Sequence, residues 1–286
     1  MNKTIKKAII LLLSVAMLLT FVGCGENDGE TEETTVKPEE TTASPEEPEE
    51  KTLKKIAFTF DDGPHAPAED LDVGYYPYTN YLLDRIEALG VKVTFFVLGE
   101  RAELYPDAIR REVSLGCEIG SHSYSHPIPF NELSESEFEN EISKAETAIE
   151  AAAGYKPTLF RPVGGAITEE QLASLAERGY TSVAWSIDTN DWDGSKSYYY
   201  AETHPEEFNV FVDAKVDLIL SQAYDGGIVL MHDKSMSSVE IFDRAAKKLI
   251  EEGYELVTVS EILGDVSENP SAVIYMDKDN YQTSRN

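Results

Sequence analysis

The strongest constraint on the fold is an alternation, from Leu53 onwards, of short apolar segments with longer amphipathic ones. The apolar segments are rich in β-branched and aromatic residues, which is typical of buried strands. In the amphipathic segments apolar residues recur at helical spacing, and most of these segments stop at a glycine, such as Gly90 or Gly154. Repeated strand–helix units predict an α/β fold with a parallel sheet covered by helices, either an open doubly wound sheet or a closed barrel.

Spacing and capping residues assign the individual segments. Ser134 with Glu137, and Thr168 with Gln171, have the spacing of capping boxes at helix starts. The predicted helices lie within residues 79–89, 107–115, 134–154, 168–179, 208–220 and 239–250. The predicted strands lie within residues 56–58, 91–98, 117–120, 158–160, 180–187, 228–231 and 255–259.

The N-terminus does not follow this pattern. Residues 1–7 carry three lysines and residues 8–22 are almost wholly apolar, which is typical of a secretory signal and short for a membrane span of roughly 20 residues. The apolar run ends in Phe-Val-Gly-Cys, which resembles a bacterial lipobox, although Phe21 replaces the usual Leu. We therefore predict a signal peptide over residues 1–23 and a lipid on Cys24. A plain signal peptide with an incidental cysteine, and hence a secreted protein, is the alternative.

The segment after the predicted signal is an acidic tract. Residues 24–52 are dominated by Glu, Thr and Pro and contain no aromatic residue, so they predict a disordered, extended tether. With a lipid on Cys24, the protein would be extracytoplasmic and held at the bacterial cell membrane. We expect a catalytic domain over residues 53–265 and a peripheral tail over residues 266–286.

Charge and cysteine content exclude some classes of protein. The formal net charge is −29, and the chain beyond the tract remains acidic, which argues against a nucleic-acid partner because phosphate binding needs a basic patch. A neutral or cationic polymer is compatible with this charge. Cys117 is the only cysteine besides Cys24, so no disulfide framework is expected, and Cys117 is interpreted as a small core residue.

Ionisable residues follow five of the predicted strands, at the C-terminal end of each. In parallel α/β folds this edge is where functional sites assemble. The residues are Asp61 and Asp62, His122 and His126, Arg161, Asp188, and His232.

Two of these positions are histidines four residues apart. On one helical turn this spacing places both imidazoles on the same face, and we place His122 and His126 on such a turn within a loop. Together with Asp62 they would form a three-ligand metal site with an open position, the pattern of catalytic metals. Solvated loop histidines are the alternative. His232, at a strand end beside Asp233, is a candidate general acid or a structural buried histidine.

Five stretches of the chain, spread in order over residues 55–263, resemble the motifs of polysaccharide deacetylases of the nodulation-protein-B type, carbohydrate esterase family 4. The resemblance implies a distorted (β/α) barrel and metal-dependent removal of N- or O-acetyl groups from a glycan. The stretches are Thr59–Pro64, His122–His126, Arg161–Gly165, Asp188–Trp192 and Ile228–His232.

The resemblance also implies a role for individual residues. Asp62, His122 and His126 would hold the metal, with zinc expected. Asp61 would be the base that takes a proton from water, and His232 would be the acid that protonates the leaving group.

Further residues of the five stretches would position these groups or line the substrate site. Asp188 would orient the acid and Arg161 would orient the base. Trp192 and Leu230 would wall the slot that accepts the acetyl methyl group. Gly164 would offer its N–H to the oxyanion.

The chain departs from the family pattern in two places. Val163-Gly164 stands where the family usually has Pro-Tyr, so one wall of the groove lacks a ring. Residues 194–209 resemble an insertion, and Tyr198–Tyr200 within it are equally compatible with stacking on sugar rings and with loop packing.

The expected function is therefore removal of acetyl groups from N-acetylglucosamine residues of an extracellular polysaccharide. Peptidoglycan is favoured over chitin oligomers because a membrane tether suits a wall polymer. An acetylxylan esterase on the same machinery and a catalytically silent glycan-binding lipoprotein are the alternatives.

Overall fold

A computed structural model describes residues 53–65 and 78–264, together with the backbone of residues 273–277 and 280–283. The predicted signal peptide, Cys24 and the predicted tether lie outside the described residues. Within the described ranges, no helix has both the length and the apolar character needed to cross a membrane.

The described ranges contain ten strands and nine α-helices. The strands are β1 (Lys54–Asp61), β2 (Thr94–Val97), β3 (Glu118–Ser121), β4 (Leu159–Phe160), β5 (Thr181–Val183), β6 (Ile187–Asp188), β7 (Gly227–His232), β8 (Tyr254–Leu256), β9 (Val273–Asp277) and β10 (Asn280–Thr283). The helices are α1 (Tyr78–Leu89), α2 (Gly99–Leu104), α3 (Pro106–Ser114), α4 (Glu135–Ala153), α5 (Glu169–Glu177), α6 (Tyr198–Thr203), α7 (Pro205–Gln222), α8 (Met236–Glu251) and α9 (Val259–Leu263).

Seven strands form the parallel sheet, in the order β5-β4-β3-β2-β1-β7-β6. The N-terminal part of β1 also pairs with β8. Part of the predicted tail extends this sheet, because β9 runs parallel to β5 and β10 runs antiparallel to β9. All five strands that precede the ionisable residues are thus parallel, and their C-terminal ends meet at one edge.

The sheet curls because its two end strands are neighbours in sequence. Only residues 184–186 separate β5 from β6, although these strands lie at opposite ends of the seven. Four residue steps span at most about 14 Å, whereas seven flat strands would span about 29 Å. The resulting distorted barrel confirms the fold implied by the family resemblance.

The core is centred on β1, whose residues from Ile56 to Asp61 are all buried. Phe58 and Phe60 both pack edge-on against Phe242 of α8, with ring centroids 5.3 and 5.5 Å apart. Phe60 also stacks on Phe95 of β2 at 5.4 Å. The strand that leads into the two adjacent carboxylates is therefore firmly packed on both of its neighbours, β2 and α8.

Both predicted capping boxes are confirmed, at Ser134 and at Thr168.

Three predicted segments differ from the structure. Residues 180–187 form two strands, because the chain leaves one end of the sheet and joins the other. Residues 255–259 end β8 and begin α9, because Thr258 caps that helix. Within residues 194–209 lie α6 and the start of α7 rather than an irregular loop.

Candidate active site

The site assembles where five parallel strands end. Asp61 pairs in register with His232 across β1 and β7, so a carboxylate and an imidazole lie at the same level on neighbouring strands. His122 follows β3, and Arg161 follows β4. The predicted convergence of these residues at one edge of the sheet is confirmed.

The two adjacent carboxylates separate because the backbone turns between them. Asp61 ends β1 in extended conformation, whereas Asp62 has φ of 71°, in the left-handed region. The buried carboxylate of Asp61 is paired with Arg161 through Oδ1, whereas Oδ1 of Asp62 lies 3.6 and 3.3 Å from Nε2 of His122 and of His126. Each carboxylate can therefore serve a different partner.

Arg161 fixes Asp61 from within the core. Its Nη1 donates to Asp61 Oδ1 at 2.8 Å, and its Nη2 donates to the carbonyl of Ala184 at 2.9 Å. The guanidinium is wholly buried and lies over the ring of Phe96 at 4.0 Å. Burial lowers the pKa of Arg161, and the carboxylate of Asp61 opposes that shift.

Asp62, His122 and His126 present one ligand atom each within 4.8 Å of one another. The two Nε2 atoms lie 3.6 and 3.3 Å from Asp62 Oδ1. This oxygen is buried and has no hydrogen-bond partner among the described residues. A cation bound between the three side chains would satisfy it.

The protonation of His122 also fits a metal ligand. Its Nδ1 lies 2.7 Å from the carbonyl oxygen of Arg161, which can only accept, so Nδ1 carries the hydrogen. The lone pair of Nε2 then faces Asp62, as in metal sites where a carbonyl fixes the tautomer. Burial lowers the pKa of His122 and so favours the neutral ring, although both nearby aspartates oppose the shift.

The loop that carries the two histidines is not the helical turn that the spacing suggested. Ser123 and His126 have φ of 75° and 60°, so the chain reverses through left-handed residues instead. Glu141 of α4 holds the loop by accepting from the backbone N–H of Tyr124 and of Ser125, at 3.0 and 2.8 Å. Sequence reasoning missed Glu141, because its position on the buried face of a helix carries no functional signal.

His232 is held by Asp191. Its Nδ1 lies 2.8 Å from Asp191 Oδ1, and its backbone N–H donates to Asp191 Oδ2 at 3.0 Å. Ser238 of α8 donates to the same carboxylate at 2.5 Å. Burial lowers the pKa of His232, but the hydrogen bond and charge of Asp191, with Asp61 and Asp62, outweigh it and raise the pKa.

The prediction that Asp188 orients His232 is wrong. Asp188 Oδ1 accepts instead from the backbone N–H of Asn190 at 2.9 Å, capping the turn after β6. Asn190 has φ of 47°, and this reversal brings Asp191 back beneath the ring. Asp191 belongs to the same stretch of sequence, but Asp188 was predicted for this role because it directly follows the predicted strand.

Gly164, Leu230 and Trp192 occupy different environments. Gly164 is exposed, with φ of 60°, and a Cβ there would meet nothing within 4 Å. Leu230 is buried on β7, two residues before His232, so both side chains point to the same face of the strand. Trp192 directly follows Asp191 and is 50% exposed.

Two of the three consecutive tyrosines pack against neighbouring rings. Tyr198 stacks on Tyr81 of α1, with ring centroids 6.1 Å apart, and Tyr200 stacks on His204 at 4.5 Å. Tyr199 is 62% exposed. For Tyr198 and Tyr200, the structure favours the packing interpretation.

Residues 49–183 match the family model described as polysaccharide deacetylase. A peptidoglycan-N-acetylglucosamine deacetylase of Bacillus cereus is 33% identical over 215 residues, which cover 73% of this chain and 88% of that protein. The chain belongs to the polysaccharide deacetylase family. The resemblance noted from the five stretches is confirmed.

Two further comparisons extend this assignment within the polysaccharide deacetylase family. The peptidoglycan-N-acetylmuramic acid deacetylase PdaC of Bacillus subtilis is 37% identical over 221 residues, which cover 75% of this chain and 41% of PdaC. The solved structure of PdaC superposes with a TM-score of 0.61 at 35% identity, covering 74% of this chain and 90% of that structure. The chain spans 41% to 66% of the length of several curated relatives that it matches.

Proposed function

We propose that this chain is a metal-dependent deacetylase that removes acetyl groups from N-acetylated sugars of peptidoglycan. The observation that carries the proposal is that a candidate metal site, a carboxylate held by an arginine and a histidine held by a carboxylate lie next to one another. Asp61, held by Arg161, lies 3.7 Å from His122 of the ligand set, and His232, held by Asp191, lies 3.9 Å from Asp62 of the same set. Two relatives of this chain are peptidoglycan deacetylases, which supports the choice of polymer.

Zinc is the metal that we propose for Asp62, His122 and His126. Two imidazole nitrogens and one carboxylate oxygen, with a fourth position open, are the donor set of many catalytic zinc sites. When bound, a divalent cation supplies Lewis acidity, which polarises a carbonyl oxygen and makes water more acidic.

Asp61 is the proposed base. Arg161 occupies Oδ1, while Oδ2 lies 3.7 Å from Nε2 of His122, on the side of the ligand set. A water molecule attacking an acetyl carbonyl at that point would have a fixed carboxylate oxygen ready to accept its proton. Because the guanidinium is buried and bonded to backbone carbonyls, the orientation of Asp61 does not depend on solvent.

His232 is the proposed acid. In the protonated ring, the hydrogen on Nδ1 is bonded to Asp191, and the second hydrogen lies on Nε2. Nε2 is 3.9 Å from Asp62 Oδ2 and so faces the site. The raised pKa of His232 favours the imidazolium, the form that can donate a proton. From that position Nε2–H can protonate the departing sugar nitrogen, so that acetate is released without a covalent enzyme intermediate.

The remaining proposed contacts bind the acetyl group. The N–H of Gly164 would donate to the developing oxyanion, and preorganised donors of this kind stabilise such charge. Leu230, on the same strand face as His232, and Trp192, beside Asp191, would enclose the methyl group.

We further propose that the protein is anchored outside the cytoplasm through a lipid on Cys24. The support is the sequence alone, namely the lipobox-like stretch and the acidic tether of residues 24–52. A tether of this composition would let the catalytic domain reach wall polymer close to the membrane.

Acetate release by the purified full-length chain tests the proposed function. Peptidoglycan, chitin oligomers and acetylxylan would each be incubated with the zinc-loaded protein, with the chelator-treated protein, and with Asp61→Asn. We expect zinc-dependent release, greatest from peptidoglycan, and almost none from the variant. Release from acetylxylan alone would indicate the esterase instead. Glycan binding without release from any polymer would indicate a silent binding protein.

A further inference from the structure

A group of buried polar side chains lies directly behind the turn that carries Asp62. It consists of Asp233, Thr79 and His65, from the end of β7, the start of α1 and the turn after β1. Asp233 and Thr79 are completely buried. None of the three belongs to the proposed metal ligands, base or acid.

Hydrogen bonds connect the three segments through Thr79. Its hydroxyl donates to Asp233 Oδ2 and accepts from the backbone N–H of His65, the latter at 2.9 Å. The ring of His65 closes the triangle, with Nε2 3.6 Å from Asp233 Oδ1. The end of the turn is thereby joined both to α1 and to the strand that carries His232.

The carboxylate of Asp233 also packs against the backbone next to Asp62. A Cβ added to Gly63 would lie 2.5 Å from Asp233 Oδ2 and 2.8 Å from its Cγ, so only glycine permits this approach. On the other side, the carbonyl of Gly63 accepts from the N–H of Leu98 at 3.1 Å. The residue that follows Asp62 is therefore held between β2 and Asp233.

Stability alone does not account for a carboxylate at this position. Asp233 Oδ1 has no hydrogen-bond partner among the described residues, and an apolar side chain of similar volume is often at least as stabilising in a core. What the carboxylate provides is a directed bond to Thr79 and close contact with Gly63. Supporting residues of this kind fix the orientation of metal ligands.

We infer that Asp233, acting through Thr79 and Gly63, is a positioning residue for the metal ligand Asp62. The inference rests on the proposed metal site of the deacetylase. Loss of the bond from Thr79 would let the turn relax and would move the Asp62 carboxylate away from His122 and His126. Metal affinity, rather than folding alone, would then fall.

Zinc titration of the purified full-length chain tests the inference, with a chromophoric chelator as competitor. Thr79→Val keeps the side-chain shape and removes the hydroxyl, whereas Thr79→Ser keeps the hydroxyl and serves as the matched control. We expect Thr79→Val to weaken zinc binding about tenfold or more, the usual loss for a supporting residue, and Thr79→Ser to bind as the parent does. The melting temperature of each metal-free variant is measured in parallel.

Binding by Thr79→Val within twofold of Thr79→Ser would overturn the inference, whatever its melting temperature. If Thr79→Val does not fold, Asp233→Asn takes its place. It should also weaken zinc binding about tenfold or more, and binding within twofold of Thr79→Ser would again overturn the inference. Asp62→Ala separates the two proposals. Loss of zinc binding in Asp62→Ala confirms the metal site, and unchanged binding would overturn both the site and this inference.

Discussion

At the scale of single residues, the site depends on backbone reversals at Asp62, His126 and Asn190. Each has a positive φ, a conformation that non-glycine residues rarely adopt. The reversal at Asp62 separates its carboxylate from that of Asp61, and the reversal at Asn190 brings Asp191 under His232.

Residue types and strand ends could be predicted from the sequence. The direction of each side chain could not, because it depends on these local reversals.

Asp61→Asn should separate proton transfer from metal binding. The amide keeps the shape of the carboxylate but cannot accept a proton, so turnover should fall by about 100-fold to 10,000-fold, the usual contribution of a general base. Zinc affinity should remain within about twofold of the parent, because Asp61 is not in the ligand set. Acetate release and zinc titration measure the two quantities. Near-normal turnover would show that the base is another group.

Asp191→Asn should move the alkaline limb of the pH–rate profile to lower pH. His232 must be protonated to act as the acid, so activity is present below its pKa and is lost as pH rises through it. Asp191 raises that pKa, and its removal should cause the loss to begin earlier. The pH dependence of kcat provides the measurement.

Asp188→Asn is the matched control for this profile. Its amide oxygen can still accept from the N–H of Asn190, so the turn should persist and the alkaline limb should stay in place. A shift in Asp188→Asn with none in Asp191→Asn would contradict the assignment of Asp191.

At the scale of helices and strands, most boundaries followed from local chemistry. The capping boxes at Ser134 and Thr168 start α4 and α5, and a left-handed glycine, Gly154, ends α4. The division of residues 180–187 into two strands could not be predicted, because it reflects closure of the sheet rather than any change in the local pattern. The helices within residues 194–209 were also missed, since their polar composition resembles that of a loop.

Ser134→Ala tests the contribution of a cap far from the chemistry. Ser134 accepts from Glu137 N–H, and loss of such a bond typically costs about 1 kcal/mol. We expect the free energy of unfolding, measured in urea with metal present, to fall by about that amount while turnover stays unchanged. Ser136→Ala, two residues further along the chain, is the control and should change stability by less than about 0.5 kcal/mol.

At the scale of the whole molecule, metal binding and folding should be coupled. The proposed ligands come from two segments, Asp62 after β1 and the pair of histidines after β3, which lie together only in the folded sheet. A cation that binds only this state stabilises it in proportion to the logarithm of its concentration.

Zinc at 100 times its dissociation constant should therefore raise the free energy of unfolding by about 2.7 kcal/mol. Chemical denaturation with zinc and with chelator measures the difference. Asp62→Ala, the control, should unfold at the same denaturant concentration in both. A zinc-dependent gain that persists in Asp62→Ala would place the cation elsewhere.

The short link between β5 and β6, which closes the barrel, is hydrogen-bonded to the same arginine that holds the proposed base. Arg161 donates to the carbonyls of Val183 and Ala184, where that link begins, and the same guanidinium holds Asp61. A local opening of the barrel between β5 and β6 would therefore also move the Arg161 guanidinium away from Asp61, the proposed base. If Asp61 is the base, a local opening between β5 and β6 should therefore reduce activity before the domain unfolds.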